Sequence, residues 1–283
     1  MQELSTWPAK DRRAITGVFT DIDDTLTTDG AITPDALQAL SELKAAGFHV
    51  IPITGRPVGW SEPFALSWPV DAIVAENGAV ALRTVRAEPD EACLAGTAPS
   101  TGSGRTVLSK LYQQDEATRQ ANYTRMLQVA ARVVREVAGA VISQDSPGRE
   151  TDIAIDHSEF VHLPPAAIAQ AVQIMQSEGM NATVSSIHIN GWFGAHNKLA
   201  GARWIVSELF GRDLDAEMAN WVYVGDSTND QLMFEAFPHS VGVANIRRFE
   251  AELSHKPRYI TIGERGAGFT EVAAALLAAR PHA

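Results

Sequence analysis

The sequence predicts an α/β fold, a parallel sheet with helices on its faces that is interrupted by a separate α+β layer. Three observations predict it. Apolar, β-branched runs end again and again in polar or charged clusters, as the buried strands of a parallel sheet do at one edge. A helical segment of about a dozen residues separates the first two of these runs, which is the spacing of a βαβ unit. The middle of the chain changes character, with a long amphipathic helix, short alternating strands and turn-rich joints.

At 283 residues the chain is long for one domain, and a division into two is expected. Hydrophobic residues make up 45%, enough for a sizeable core. Lys and Arg number 23 against 34 Asp and Glu, a net charge of -11, and there is no basic block. Nucleic acid and anionic membrane surfaces are therefore excluded as expected partners, while a phosphate remains open to a few local donors and a metal. Cys93 is the only cysteine, so neither a disulfide framework nor a thiolate metal site is expected. The N-terminal residues lack an apolar signal-peptide core and no run of about 18 apolar residues occurs. A soluble cytoplasmic protein is the expectation.

The run Ile15 to Thr20 reads as a buried strand that breaks at once into Asp21, Asp23 and Asp24. Thr33-Pro34 reads as a helix cap and first helical position, and Gly47 ends the amphipathic segment Asp35 to Ala46. Phe48 to Ile53 is a second buried strand, ending in Thr54-Gly55-Arg56-Pro57. A right-handed connection makes these two strands parallel and places Asp21 and Thr54 at one edge. Asp71 to Ala75 reads as a third strand closing in Glu76-Asn77-Gly78, with Ala79 to Leu82 as a returning hairpin arm. Thr84 to Gln114 shows no sustained period and contains the exposed-loop composition Gly96 to Gly104.

Glu116 to Val137 reads as a strong helix with Met126, Val129, Val133 and Val137 on one stripe. Two short strands, Ala140 to Gln144 and Thr151 to Asp156, flank the turn Asp145-Ser146-Pro147-Gly148. Pro165 to Ser177 is a helix stopped by Gly179, and Thr183 to Asn190 an alternating strand. The main fold resumes with a helix from Lys198 to Phe210, stopped by Gly211, and a buried strand Trp221 to Val224 that ends in Gly225-Asp226-Ser227-Thr228-Asn229-Asp230. Ser240 to Val243 and Arg258 to Ile262 are short strands, and Gly268 to Ala279 a closing helix. Val133 and Leu232 are expected in the core.

Asp21 and Asp23 lie two residues apart, so in extended chain they start from one face, whereas Asp24 starts from the other. Carboxylates sharing a small site repel unless a cation sits between them, and oxygen-only ligands favour a hard ion such as Mg²⁺. The plain alternative is a solvated turn whose Asp residues cap backbone amides.

Four motifs in order, Asp21-Ile22-Asp23-Asp24-Thr25, Ile53-Thr54-Gly55-Arg56, Asn197-Lys198 and Gly225 to Asp230, resemble those of the haloacid dehalogenase superfamily of phosphohydrolases. The resemblance implies a Rossmann-like core, residues 1–82 and 193–283, with an inserted α/β cap at 83–192. A cap in that place is similar to the one in the subgroup of Cof-like, sucrose-phosphate and mannosyl-phosphoglycerate phosphatases. Position 24 is Asp where many relatives carry Gly.

By that resemblance Asp21 is the nucleophile that forms an aspartyl-phosphate, a role open to carboxylates. Asp23 protonates the leaving oxygen and then deprotonates the attacking water. Thr54 and the Gly55 amide bind phosphoryl oxygens, while Lys198 neutralises charge and orients Asp21. Mg²⁺ is held by Asp21, Asp226 and the Asp23 backbone carbonyl, with Asp230 in support. Arg56, Asn77, His188 and Asn190 are candidate substrate contacts beside Gly55, and Arg149 a further one from the cap. The structural alternatives are a surface lysine at 198, helix caps at Thr54 and Asp230, a surface ion pair at Arg56 and a turn residue at Asn77.

The implied activity is Mg²⁺-dependent hydrolysis of a small phosphate ester, a sugar phosphate by preference. The rivals are a phosphosugar mutase of the phosphomannomutase type and a non-catalytic regulatory protein on the same fold. The leaving group and the oligomeric state are not specified by any motif.

Overall fold

The computed structural model describes residues 1–86 and 106–280. Cys93 and the stretch from Gly96 to Gly104 lie outside them. The chain opens with β1 (Gln2–Glu3) and α1 (Ala9–Ala14), then enters β2 (Gly17–Thr20). A small antiparallel ribbon, β3 (Thr27–Thr28) with β4 (Ala31–Ile32), follows the Asp21 cluster. Next come α2 (Pro34–Ala45), β5 (His49–Pro52), α3 (Val58–Ser67) and β6 (Ile73–Ala75). The middle holds β7 (Val80–Arg86), β8 (Thr106–Tyr112), α4 (Glu116–Glu136), β9 (Val141–Ile142) and β10 (Ile153–Asp156). It closes with α5 (Pro165–Ser177), β11 (Asn181–Val184) and β12 (His188–Trp192). The last part is α6 (Lys198–Phe210), β13 (Trp221–Gly225), α7 (Gln231–Ala236), β14 (His239–Gly242), β15 (Tyr259–Ile260) and α8 (Arg265–Leu277).

Six strands form one parallel sheet in the order β1-β15-β14-β13-β2-β5. Val18, Val50, Val222 and Val224 enter one apolar core with Leu40 and Phe269, while Phe19, Ile51, Trp221 and Tyr223 enter another with Ile205 and Met233. That alternation is what helices on both faces of a parallel sheet demand. The chain leaves β2 toward β5 on one side and returns through β13 on the other. A crevice therefore opens at the C-terminal ends of these three strands. The ladder continues into it, with Asp21 N donating to Val224 O and Ile53 N to Thr20 O, both at 2.8 Å.

The segment from α4 to β12 builds a four-stranded antiparallel sheet, β11-β12-β10-β9, with a hydrophobic cluster of its own that includes Met126, Val133, Ile155, Met175 and Ile189. His188 and Asn190, which flank Ile189 on β12, instead make polar contacts toward the crevice.

Several elements differ from the sequence reading. Residues 84–86 and 106–112, read as structureless, pair across the whole of β7 and β8, and β7 also pairs with β6. The partners are 20 to 32 residues apart in the chain and β8 is only half-buried, so neither a short turn nor a clean alternation advertised the hairpin. Thr183 to Asn190 is two strands rather than one, because the Ser185 hydroxyl accepts the His188 amide at 3.0 Å and turns the chain. Leu232, expected in the core, is 46% exposed on the two-turn helix α7. Helices α1 and α3 were not expected.

The N-terminal turn of α6 is seated by a close backbone approach. A Cβ at Gly201 would lie 2.6 Å from Gly78 Cα, and one at Gly78, where φ is +105°, would lie 2.3 Å from Asn197 O. Only glycine fits both places. Gly201→Ala is expected to destabilise the protein by about 1–3 kcal/mol, read as a lower denaturation midpoint at unchanged slope. An unchanged midpoint would mean that the helix seats without this contact.

Candidate active site

Asp21 follows the last residue of β2 and is 4% exposed. Lys198, at the first position of α6 and 3% exposed, donates to Asp21 Oδ1 at 2.8 Å and to Asp230 Oδ1 at 2.7 Å. Asn197 caps that helix, its side chain accepting the Ala200 amide at 2.9 Å. Burial works against the ammonium, but Asp21 and Asp230 outweigh it and raise its pKa. Lys198 is therefore a fixed positive charge between two carboxylates.

Asp230 is fully engaged. Its Oδ1 accepts from Lys198 and the Tyr223 hydroxyl, and its Oδ2 accepts the amides of Asp226 and Ser227 at 3.0 and 3.1 Å. Asp226, at the end of β13, is held by one oxygen only: Asn245 Nδ2 donates to its Oδ2 at 3.0 Å and to the Asp24 carbonyl at 3.0 Å. Its other oxygen, Oδ1, is buried with no partner among the described residues. Ligand atoms of Asp21, Asp226 and Asp230 lie within 4.8 Å of one another. Burial pushes Asp21 up to about 7 despite Lys198, and burial followed by Asp21 and Asp230 raises Asp226 well above the carboxylate range.

Three buried carboxylates against one ammonium, with one carboxylate oxygen orphaned among them, form a donor set that fits a hard divalent cation. Asp226 Oδ1 and Asp21 would ligate, with Asp230 bracing from behind. The Asp23 carboxylate is turned elsewhere: Arg56 Nε donates to both of its oxygens at 3.0 Å. Asp24 points away from the buried cluster, to Arg265 at 3.0 Å and Arg248 at 3.6 Å.

Thr54 is 1% exposed and its hydroxyl accepts the Arg56 amide at 3.0 Å, which shapes the loop after β5. The Gly55 carbonyl is held from the four-stranded layer, by Arg149 Nη1 at 3.0 Å and Asn190 Nδ2 at 3.3 Å. Arg149 also binds Asp152 at 2.7 Å and Asp145 at 3.2 Å, while Asn77 and Asn190 donate to the other Asp152 oxygen at 3.3 and 3.2 Å. Arg56 reaches across as well, to Asp145 at 3.2 Å and Glu159 at 2.9 Å, and Glu159 in turn pairs with His188 at 2.8 Å. Burial raises the Asp152 carboxyl to about 7 against the pull of Arg149. Glu76, fully buried at φ +48°, accepts the Val58 amide at 3.0 Å and the Glu150 amide at 2.9 Å.

The structure thus brings Asp21, Asp226, Asp230 and Lys198 into one group. It places Asp23, Thr54, Gly55, Arg56, His188 and Asn190 around the narrow space beside it. Asn77 stands behind Gly55, tied to Asp152. Beyond Asp23 and Arg56 opens a cavity of about 420 Å³, lined among others by Ser158, Phe160, Ser186, Arg248 and Arg265. Sequence reasoning missed Tyr223, Asn245, Asp152 and Glu159, none of which stands inside a motif. The one available signal was the repeated ending of strands in polar clusters, which pointed at the edge and not at these partners.

The charge imbalance makes an opposed pair of expectations. Without divalent cation Asp226→Asn should leave the protein as stable as wild type or more so, because burial, Asp21 and Asp230 already disfavour a charged carboxylate at this position. With Mg²⁺ the wild type should gain stability, about 2.7 kcal/mol at a hundredfold excess over Kd, and the variant little. Thermal denaturation with and without Mg²⁺ reads both, and equal gains would remove Asp226 from the cation site.

A profile of haloacid dehalogenase-like hydrolases matches residues 18–92, the stretch that carries Asp21 and Thr54. A Streptococcus pyogenes serotype M6 protein with a provisional phosphatase name is 22% identical over 278 residues, 89% of this chain and 94% of its own. Among solved structures, a HAD/COF-like hydrolase from Plasmodium vivax aligns over 96% of this chain and 100% of its own, with a TM-score of 0.65 at 14% identity. The sucrose-phosphatase of Synechocystis sp. PCC6803, solved with sucrose and phosphate, aligns over 93% of this chain and 98% of its own, with a TM-score of 0.61 at 15% identity. These structures share the fold of this chain, and the haloacid dehalogenase-like hydrolase profile is similar to it over β2 to β7, the part that carries Asp21 and Thr54.

Proposed function

We propose that the protein is a Mg²⁺-dependent phosphatase of a small phosphorylated metabolite, a sugar phosphate by class, acting through an aspartyl-phosphate on Asp21. The observation that carries this reading is the Asp21 carboxylate itself, one oxygen fixed by Lys198 and the whole group set beside the orphaned Asp226 oxygen. A phosphate ester is a dianion with a poor leaving group, so hydrolysis needs charge neutralisation, a nucleophile and a proton donor. A divalent cation held by Asp21 and Asp226 would supply the first, drawing charge from phosphoryl oxygens and keeping Asp21 ionised.

The remaining tasks fall to side chains. Asp21 attacks phosphorus in line. Asp23 hands a proton to the leaving oxygen and later takes one from water, and Arg56 orients it for both. The Thr54 hydroxyl and Gly55 amide receive phosphoryl oxygens, and Lys198 balances the charge that Asp21 gives up. The leaving group enters the 420 Å³ cavity, whose hydroxyls and arginines suit a polyhydroxylated body.

In this reading residues 83–192 include the cap. The layer from α4 to β12 excludes water when Arg56 joins Asp23 to Asp145 and Glu159, and it must open for release. Because residues 82–86 are locked in the β7–β8 ladder, the joints of that motion fall at 113–115 and 193–197, where Gly194 has φ +119°.

Asp21→Asn should keep the fold and lower kcat by about a thousandfold or more, since the amide has the shape but not the nucleophilicity. Release of inorganic phosphate from a panel of sugar phosphates, with Mg²⁺ or EDTA, gives the measurement. Activity is expected only with Mg²⁺, and Ca²⁺, larger and looser in coordination, should inhibit. Full activity in EDTA, or in the variant, contradicts the proposal.

A further inference from the structure

Asp24 stands where many relatives carry glycine, and the chemistry assigned to Asp21 and Asp23 gives it no task. Its backbone is left-handed, with φ +54°, a conformation that glycine adopts freely and other residues seldom do. The carboxylate kept there is engaged. Arg265, the first residue of α8 and itself at φ +55°, pairs through Nε with Asp24 Oδ1 at 3.0 Å, and the two side chains are only 27% and 18% exposed.

The same two residues meet again through Asn245, which lies just after β14 and is 3% exposed. The Arg265 amide donates to Asn245 Oδ1 at 2.8 Å, and Asn245 Nδ2 donates to the Asp24 carbonyl and to Asp226 Oδ2, both at 3.0 Å. A backbone N–H only donates and a carbonyl only accepts, so Arg265 and Asp24 between them admit a single orientation of the Asn245 side chain. That orientation turns an N–H onto Asp226 Oδ2 and leaves Oδ1 as the oxygen without a partner among the described residues. Asp24, Arg265 and Asn245 therefore close a ring, from carbonyl to side-chain amide, to backbone amide, and back through guanidinium and carboxylate. Asp226 is fastened to that ring at one atom.

We infer that Asp24 and Arg265 are a positioning pair for the cation site, holding the Asn245 amide so that it presents Asp226 Oδ1 to the cation. The inference rests on the proposed reading of Asp21 and Asp226 as ligands of a divalent cation, and it gives the aspartate at 24 a task that glycine there could not perform. Outer partners of this kind aim a ligand oxygen, and loss of one typically weakens metal binding by about ten- to a hundredfold.

Two simpler roles make opposite demands. If Asp24 only shapes its turn, glycine serves as well or better, since φ +54° carries no strain for it. If Asp24 and Arg265 act only as charges, losing the aspartate weakens the hold on a cation but losing the arginine strengthens it. A positioning pair is weakened by either loss.

Titration calorimetry with Mg²⁺ alone, without substrate and at moderate salt, tests this. Asp24→Gly and Arg265→Met are each expected to weaken Mg²⁺ binding by about threefold to tenfold, less than loss of the Asn245 amide itself would. Arg265→Lys, which keeps a cation within reach of Asp24, should bind within about twofold of wild type. Both positions are partly exposed, so these variants do not open a core, and either Asp24→Gly or Arg265→Met carries the test should the other fail to fold. Mg²⁺ binding by Asp24→Gly or Arg265→Met as tight as by wild type or tighter overturns the inference, as does an Arg265→Lys variant no better than Arg265→Met. A wild-type protein that binds no Mg²⁺ overturns the cation reading and the inference together, whereas equal binding by wild type and variants overturns the inference alone.

Discussion

The excess of buried negative charge at the end of β2 is the constraint on which the rest depends. Asp21, Asp226 and Asp230 are all but removed from water, and one ammonium, Lys198, stands among them. Taking such charges out of water costs several kcal/mol each unless they are compensated. Much of the surrounding structure serves to hold the group together against its own repulsion. Tyr223 and two backbone amides fix Asp230, Asn245 ties Asp226 to the loop after β2, and the Gly78–Gly201 approach sets where Lys198 begins. What is left over, an Asp226 oxygen with no partner among the described residues and a surplus of carboxylate, is a donor set that fits a cation.

A second network couples the two layers. Arg56 leaves the loop after β5 and binds Asp23 on its own side and Asp145 and Glu159 on the other; Arg149 comes back the opposite way to grip the Gly55 carbonyl. Both guanidiniums are almost wholly buried, where removing one partner of an ion pair costs far more than the pair contributes. The loop that would receive a phosphoryl group is therefore shaped by residues nearly a hundred positions away in the chain. In the proposed phosphatase, closure of the layer and completion of the site would be one event, and a site assembled that way would reward only a substrate able to hold it shut.

The sequence revealed the cluster because its chemistry is local. Asp21 to Asp24, Thr54 to Arg56, Asn197-Lys198 and Gly225 to Asp230 each sit at a strand end or helix start, and the parallel order of those strands brings them to one edge. The network around them was not legible, since Glu159 with His188, or Asp152 with Asn77, is joined by tertiary packing alone. Arg56 and Arg149 were noticed as cations without the carboxylates that define their roles. Residues 106–112 escaped as a strand because an outer, half-buried strand lacks the alternation that burial on one face imposes. Leu232 failed for the related reason that helical spacing does not say which face meets a cavity.

The proposed function requires a covalent bond between Asp21 and phosphorus, and chemical trapping addresses it directly. Borohydride added while substrate is turning over reduces an acyl phosphate to the alcohol, so the peptide that contains Asp21 should carry homoserine at that position, and only when both Mg²⁺ and substrate were present. An unmodified Asp21 during demonstrable turnover, or modification of another carboxylate in its place, would contradict it.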